Sequence, residues 1–257
     1  MSPENASAHI ATRTPEEVVR TAPAAQAPNG VCFAAAGETA ISGADLERLV
    51  NTVPKSIAAA LDKRAFYFVP LTVNQDESTV IADQYSLELS DKAVCHRNIA
   101  LGGSQCVFIS TRLMDDKFSV AFEFFINVGH IFVEKAGVSQ QFSDVVCQQV
   151  EAGVKGETSL DANDLRRQAW VRSTESGRQW KVSDEKAKSN FLSATFSDSI
   201  AIYLLSLYLD VDYWDLRERE YPLLAPAAMA ERIKKVHELF PQNAGYDFNV
   251  FYRRRSQ

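Results

Sequence analysis

Four polar side chains fall at steps of four, three and four residues in an otherwise apolar stretch: Glu123, Asn127, His130 and Glu134. At 3.6 residues per turn these steps return to nearly the same side of a helix, so two carboxylates, an amide and an imidazole line one stripe. Most of the intervening residues are Phe, Ile and Val. Burying such a stripe costs on the order of several kcal/mol unless partners satisfy it, which requires a hydrogen-bond network, a solvent-filled cleft or a cation. A histidine beside a carboxylate is a base poised near neutral pH, and a set of His, Glu and Asp suits zinc, iron or manganese. The simplest use is structural. His130 and Glu134, an i,i+4 pair, then bond to each other and to nearby backbone, while Glu123 reaches solvent near the helix start.

The element carrying the stripe spans residues 118–136, apolar on nearly every face and closed by Gly137 as a C-terminal cap, which is the pattern of a buried helix. Aromatic and β-branched runs at 66–70, 85–89 and 106–110 read as strands of a small sheet, with a turn at Asp115 and Asp116 after the third. Ser42 and Asp45 begin a helix carried by Leu46, Leu49 and Val50 until Pro54, and a second short helix runs to about Lys63. Downstream, 191–209 forms another apolar helix holding Ser193, Ser197, Asp198 and Ser206. An amphipathic helix at 227–240 lies between Pro226 and Pro241. Residues 151–190 are polar and glycine-punctuated, which predicts surface loops or an insertion with a short helix at 165–171. Residues 1–30 lack apolar periodicity and read as a flexible arm. The expected fold is one α+β domain over 31–257. It is mainly helical, with a small antiparallel or mixed sheet beside two buried helices and a cleft where His130 and Asp198 approach each other.

The order of these segments resembles the core of gluzincin-type zinc metallopeptidases. Two stretches carry the resemblance: strand Val107-Phe108-Ile109-Ser110 followed by Asn127-Val128-Gly129-His130-Ile131-Phe132-Val133-Glu134, and Ala194-Thr195-Phe196-Ser197-Asp198-Ser199-Ile200-Ala201-Ile202-Tyr203-Leu204. The first is similar to the family's helix bearing H-E-x-G-H. The second is similar to the downstream helix that supplies a glutamate ligand. In the family, two histidines four residues apart hold zinc, and the glutamate beside the first activates a water. The matching positions here are Ile126, Asn127 and His130, and the downstream glutamate falls on Ala194 or Thr195. Isoleucine has no lone pair and asparagine has no basic site for a proton, so the HExxH motif is degenerate. The resemblance thus implies a metallopeptidase-like fold in which no metal is expected and hydrolysis by the zinc mechanism is lost.

Two functions follow. In the first, the residual cleft binds a peptide or protein partner, with Asp198 and Tyr203 at the binding surface. In the second, His130 and Glu134, helped by Glu123, Asn127 or Asp198, form a remodelled catalytic site for a small molecule. That site is either metal-free or loaded with zinc, iron or manganese through His130, Glu134 and Asp198.

Composition narrows the partners. With 257 residues, 46% hydrophobic and 23% charged, the chain has material for a large core. A net charge of -6 argues against nucleic acid, and the Arg253–Arg255 run is short enough to be a solvated tail. No signal peptide and no membrane span are expected, and four cysteines without a zinc-type spacing suit a reducing compartment, so the expected location is cytoplasmic, with non-classical secretion as an effector left open. Oligomeric state is likewise open. Cys95 and His96 form a lesser candidate for nucleophile and base. Adjacent residues on an extended segment point apart, and a buried structural cysteine is the expectation. Gly102-Gly103 signals a turn, His237 is placed at the solvent edge of the last helix, and Trp170, Trp180 and Trp214 are assigned to packing or a cleft rim.

Overall fold

The computed structural model describes residues 11–39, 41–74, 76–83, 94–111, 117–172, 180–211, 216, 223–242, 248 and 250. Along the chain these form β1 (Thr12–Arg13), α1 (Pro15–Thr21), β2 (Ala25–Gln26), β3 (Cys32–Ala35), α2 (Gly43–Asn51) and α3 (Lys55–Ala58), the last prolonged by a 3-10 turn at Ala59–Leu61. There follow β4 (Arg64–Val69), β5 (Leu71–Val73), β6 (Thr79–Ala82), β7 (His96–Leu101), β8 (Ser104–Ser110) and α4 (Lys117–Ala136). The chain continues through α5 (Gln140–Glu151), α6 (Leu160–Ala169), β9 (Trp170–Arg172), β10 (Trp180–Val182), α7 (Glu185–Tyr208) and α8 (Pro226–Leu239). The fold is α+β. The expected strand at 85–89, the turn at Asp115 and Asp116, Trp214 and the Arg253–Arg255 run lie outside the described residues.

The chain divides into two compact units. The first comprises Met1–Asn51 and Asp62–Glu123, and the second Thr52–Leu61 and Phe124–Gln257. The boundary falls inside α4, which explains why apolar patterning along that helix gave no sign of it.

The first unit is built on a five-stranded mixed sheet in the order β2-β3-β4-β8-β7. Strands β3, β4 and β8 run parallel, with Phe66 opposite Val107 and Tyr67 opposite Phe108. Continuous apolar runs such as Phe66-Tyr67-Phe68-Val69 suit a strand covered on both faces, and all four of these residues are buried. Strand β7 returns antiparallel along β8 through Gly102 and Gly103, both at positive φ, as a two-residue hairpin loop with this twist requires. A second sheet, β1-β6-β5, is antiparallel.

The N-terminal arm needs correction from residue 11 onward. Thr14 and Glu17 form a reciprocal capping box around Pro15 at the first helical position. The helix so fixed buries Val18 completely, in a cluster with Tyr67, Val69, Leu71, Ile81, Cys106 and Phe108. Main-chain pairing of β1 with β6 and of β2 with β3 secures the flanks. One buried valine, one good cap and two edge strands order a segment whose overall composition looks too polar to fold.

Among the described residues the second unit is helical apart from the antiparallel strand pair β9 and β10. Helix α7 is long and apolar enough to span a bilayer by composition, yet 67% of its apolar stretch is buried inside the protein. It begins at Glu185, six residues before its apolar run, because the Asp184 carboxylate accepts from the Lys186 and Ala187 amides. The polar 151–190 stretch is more structured than loops: α6 starts at Leu160, capped by Ser159, and Val171 belongs to β9. Trp170 packs edge-on against Phe191, and Trp180 lies beneath the Arg172 guanidinium.

Candidate functional site

Within the second unit, α4 and α7 meet backbone to backbone. A Cβ placed on Gly129 would stand 2.5 Å from the Ser197 carbonyl oxygen and 3.1 Å from its carbonyl carbon. Only a residue without a side chain permits this approach. The contact sets the position of the next residue, His130, whose Nδ1 lies 3.3 Å from Ser197 Oγ. That hydroxyl also donates to the Ala194 carbonyl at 2.9 Å. With its single proton used there, Oγ accepts from Nδ1–H, leaving Nε2 as the basic nitrogen. Ser197 is buried and His130 exposed. The buried serine therefore orients an imidazole that solvent can reach.

Asp198 is the neighbour of Ser197 on α7. Thr158 Oγ1 donates to its Oδ2 at 2.7 Å, and the Ser159 hydroxyl supplies a second hydrogen bond. Burial pushes its carboxyl above the ordinary carboxylate range. The two hydroxyls and a cationic His130 oppose that rise, and Asp161 adds to it.

The hydroxyl pair is held from behind by a buried ionic network. Glu157, fully buried, accepts from Arg232 Nη1 at 2.8 Å and from Arg166 Nη1 at 2.9 Å. Arg232 Nε also donates to Gln149 at 2.7 Å, and Arg166 donates to the carbonyls of Val154 and Gly156. Strand-like pairing of Glu157 with Leu223 completes the clamp. Arg232 ties Glu157 to Gln149 on α5, and Arg166 ties Glu157 to the carbonyls of Val154 and Gly156, so this segment is fixed where a polar sequence suggested a loop.

The structure gathers His130, Ser197, Asp198, Thr158 and Ser159, and distributes the other expected residues differently. Glu134 lies one turn beyond His130 and is exposed; Asn127 lies one turn before it and is only 4% exposed. Glu123 does not reach for solvent. It belongs to the first unit, half-buried, with Oε1 2.5 Å from Nδ1 of His96 on β7. Tyr203 is sealed in the core rather than lining a binding surface: its hydroxyl donates to the Phe240 carbonyl at 3.1 Å and lies 3.1 Å from His237 Nδ1. His237 is accordingly half-buried and stacked on Phe248, not at a solvent edge. Cys95 is exposed instead of structural, and partial burial of its thiol together with Glu123 raises its pKa, opposite to what a nucleophile needs.

At the positions matching zinc ligands in the resemblance, Ile126 is half-buried, and Thr195 is fully buried with its hydroxyl lacking a hydrogen-bond partner among the described residues. Among the described residues no three His, Cys, Asp or Glu side chains converge to hold a metal ion. Sequence reasoning missed Thr158 and Ser159. The only signal was Ser159 as a helix cap, masked by the polar stretch around it. No protein-family model, curated protein or solved structure matches the chain.

Proposed function

We propose that the chain is a metallopeptidase-like protein that has lost the zinc triad and binds a peptide or protein partner on the surface around His130 and Asp198. The close approach of Gly129 to Ser197 carries this reading. It brings α4, whose Asn127–His130 stretch resembles the H-E-x-G-H helix, against α7, whose Ala194–Leu204 stretch resembles the downstream ligand helix. The side chains at the ligand positions do not fit the metal. Ile126 offers no lone pair, Asn127 and Thr195 are neutral and buried, and His130 alone remains. What this leaves facing solvent is an oriented imidazole and, one turn on, the Glu134 carboxylate. These groups suit amide and basic side-chain contacts from a partner segment, and the net charge of -6 favours a basic one.

The reading is tested by equilibrating the protein with zinc, measuring bound metal by inductively coupled plasma mass spectrometry, and incubating the product with internally quenched peptides. Substoichiometric zinc and no cleavage are expected. One zinc per chain, lost in His130→Ala, or His130-dependent cleavage overturns it.

One observation favours a second reading. Burial pushes the Asp198 carboxyl above the ordinary range, and Asp198 senses the charge of the exposed His130 imidazole, whose Nδ1 is held by Ser197, an arrangement suited to metal-free acid and base chemistry on a small molecule. In that case the set is His130 and Asp198, with Glu123 committed to His96. A substrate screen showing turnover abolished by both His130→Ala and Asp198→Asn distinguishes it from partner binding.

A further inference from the structure

The face of the five-stranded sheet that α1 covers is uneven. One row across it is Ala34, Tyr67 and Phe108, in which the two rings stack with centroids 5.1 Å apart. Two residues earlier on each strand, on the same face, the row is Cys32, Ala65 and Cys106. The step from large to small side chains leaves a cleft of about 570 Å³ at the starts of the parallel strands. Small-molecule sites span about 300–1,000 Å³. Val19 on α1 and Leu101 at the end of β7 wall it with hydrocarbon.

The rim has the opposite character. Arg20 comes from the last turn of α1, Lys63 from the turn before β4 and Arg64 from its first position, against one acid, Glu16. The ion pairs of this unit among the described residues join Arg13 to Asp83, Arg48 and Lys117 to Asp45, and His96 to Glu123, so Arg20 and Lys63 take part in none. Lys63 stands at φ +61°, a conformation easy only for glycine, and its carbonyl is pinned by the Gln105 amide at 3.0 Å. A cation is thereby held at the mouth where glycine would fit more easily.

We propose that this cleft binds a small anionic amphiphile, a carboxylate on a short hydrocarbon body. The head sits among Arg20, Lys63 and Arg64, and the body lies over the Cys32-Ala65-Cys106 floor. Excess positive charge at the mouth favours an anion, and the small apolar floor excludes a fully polar one. The cleft lies wholly in the first unit and does not rest on the partner-binding reading.

Octanoate and octan-1-ol are titrated by calorimetry into the full chain and into Arg20→Gln, Lys63→Gln and Ala65→Leu variants. Alkylation of Cys32 by iodoacetamide is followed by peptide mapping, with the exposed Cys95 as internal control. Octanoate is expected to saturate one site, to slow alkylation of Cys32 but not of Cys95, and to bind at least about tenfold more tightly than octan-1-ol. Each cation variant weakens octanoate several-fold, and Ala65→Leu, which fills the floor, abolishes binding. Absence of saturation, equal affinity for the alcohol, or undiminished binding by Ala65→Leu overturns the proposal. Should Ala65→Leu fail to fold, an unchanged Cys32 alkylation rate in the octanoate-treated parent protein overturns it equally.

Discussion

Gly129 on α4 and Ser197 on α7 are so close that a single added methyl group would stand 2.5 Å from a carbonyl oxygen. Nothing flexible is available to move aside, because the obstructing atoms are backbone. The contact fixes how far His130 projects and which hydroxyl its Nδ1 meets.

Gly129→Ala is therefore expected to destabilise the protein although alanine is the better helix former. The propensity gain is about 1 kcal/mol, while overpacking against an immobile backbone costs about 1–3 kcal/mol and can exceed that range. Urea unfolding of the variant should show a lower midpoint with an unchanged slope; a raised midpoint would mean that the helices separate without cost.

Arg232 and Glu157 are both fully buried, so removing one leaves the other charge without its partner. Arg232→Ala is expected to cost about 3–5 kcal/mol. Lys235→Ala, which breaks the surface pair with Glu238, is expected to change stability by less than about 1 kcal/mol. Chemical denaturation of both variants measures the contrast, and equal effects would contradict the assignment of Glu157 as the clamp behind Thr158.

Burial raises the Asp198 pKa, so its protonated form favours the folded state. That contribution is complete below the unfolded carboxylate pKa and is lost as pH rises through the higher folded value. Asp198→Asn keeps an oxygen for Thr158 and removes the charge. Thermal unfolding should place the variant above the parent protein at neutral pH, with the gap closing toward acid; a gap that widens toward acid would reverse the sign.

Thr14→Ala is expected to cost about 1 kcal/mol by removing the cap of α1. The accompanying measurement is hydrogen exchange at Val18, whose amide bonds to the Thr14 carbonyl at 3.1 Å. Exchange at the unprotected rate in the parent protein would restore the flexible arm.

These cases mark where local signals suffice. The spacing of Glu123, Asn127, His130 and Glu134 located α4, Gly137 located its end, and the aromatic run at Phe66 located β4, because each is a periodicity or a cap within one element. The Thr14-Pro15-Glu16-Glu17 cap was equally local, but the polar, alanine-rich residues around it concealed it. What the sequence could not indicate were choices made by tertiary partners. His96 claims Glu123, His237 and the Phe240 carbonyl claim Tyr203, and buried Arg232 with half-buried Arg166 turns a polar stretch into the support for Asp198. A helical face says which side chains point together, but not which of them a neighbouring element will satisfy.

His130 is proposed to serve recognition and not metal chemistry. Peptides selected by display on the parent protein, with counter-selection on His130→Ala, are titrated into both proteins alongside urea unfolding of each. The account predicts saturable binding by the parent protein, loss of that binding in His130→Ala, and matching unfolding midpoints. Equal binding by the two proteins, or a variant whose only defect is lost stability, would contradict it.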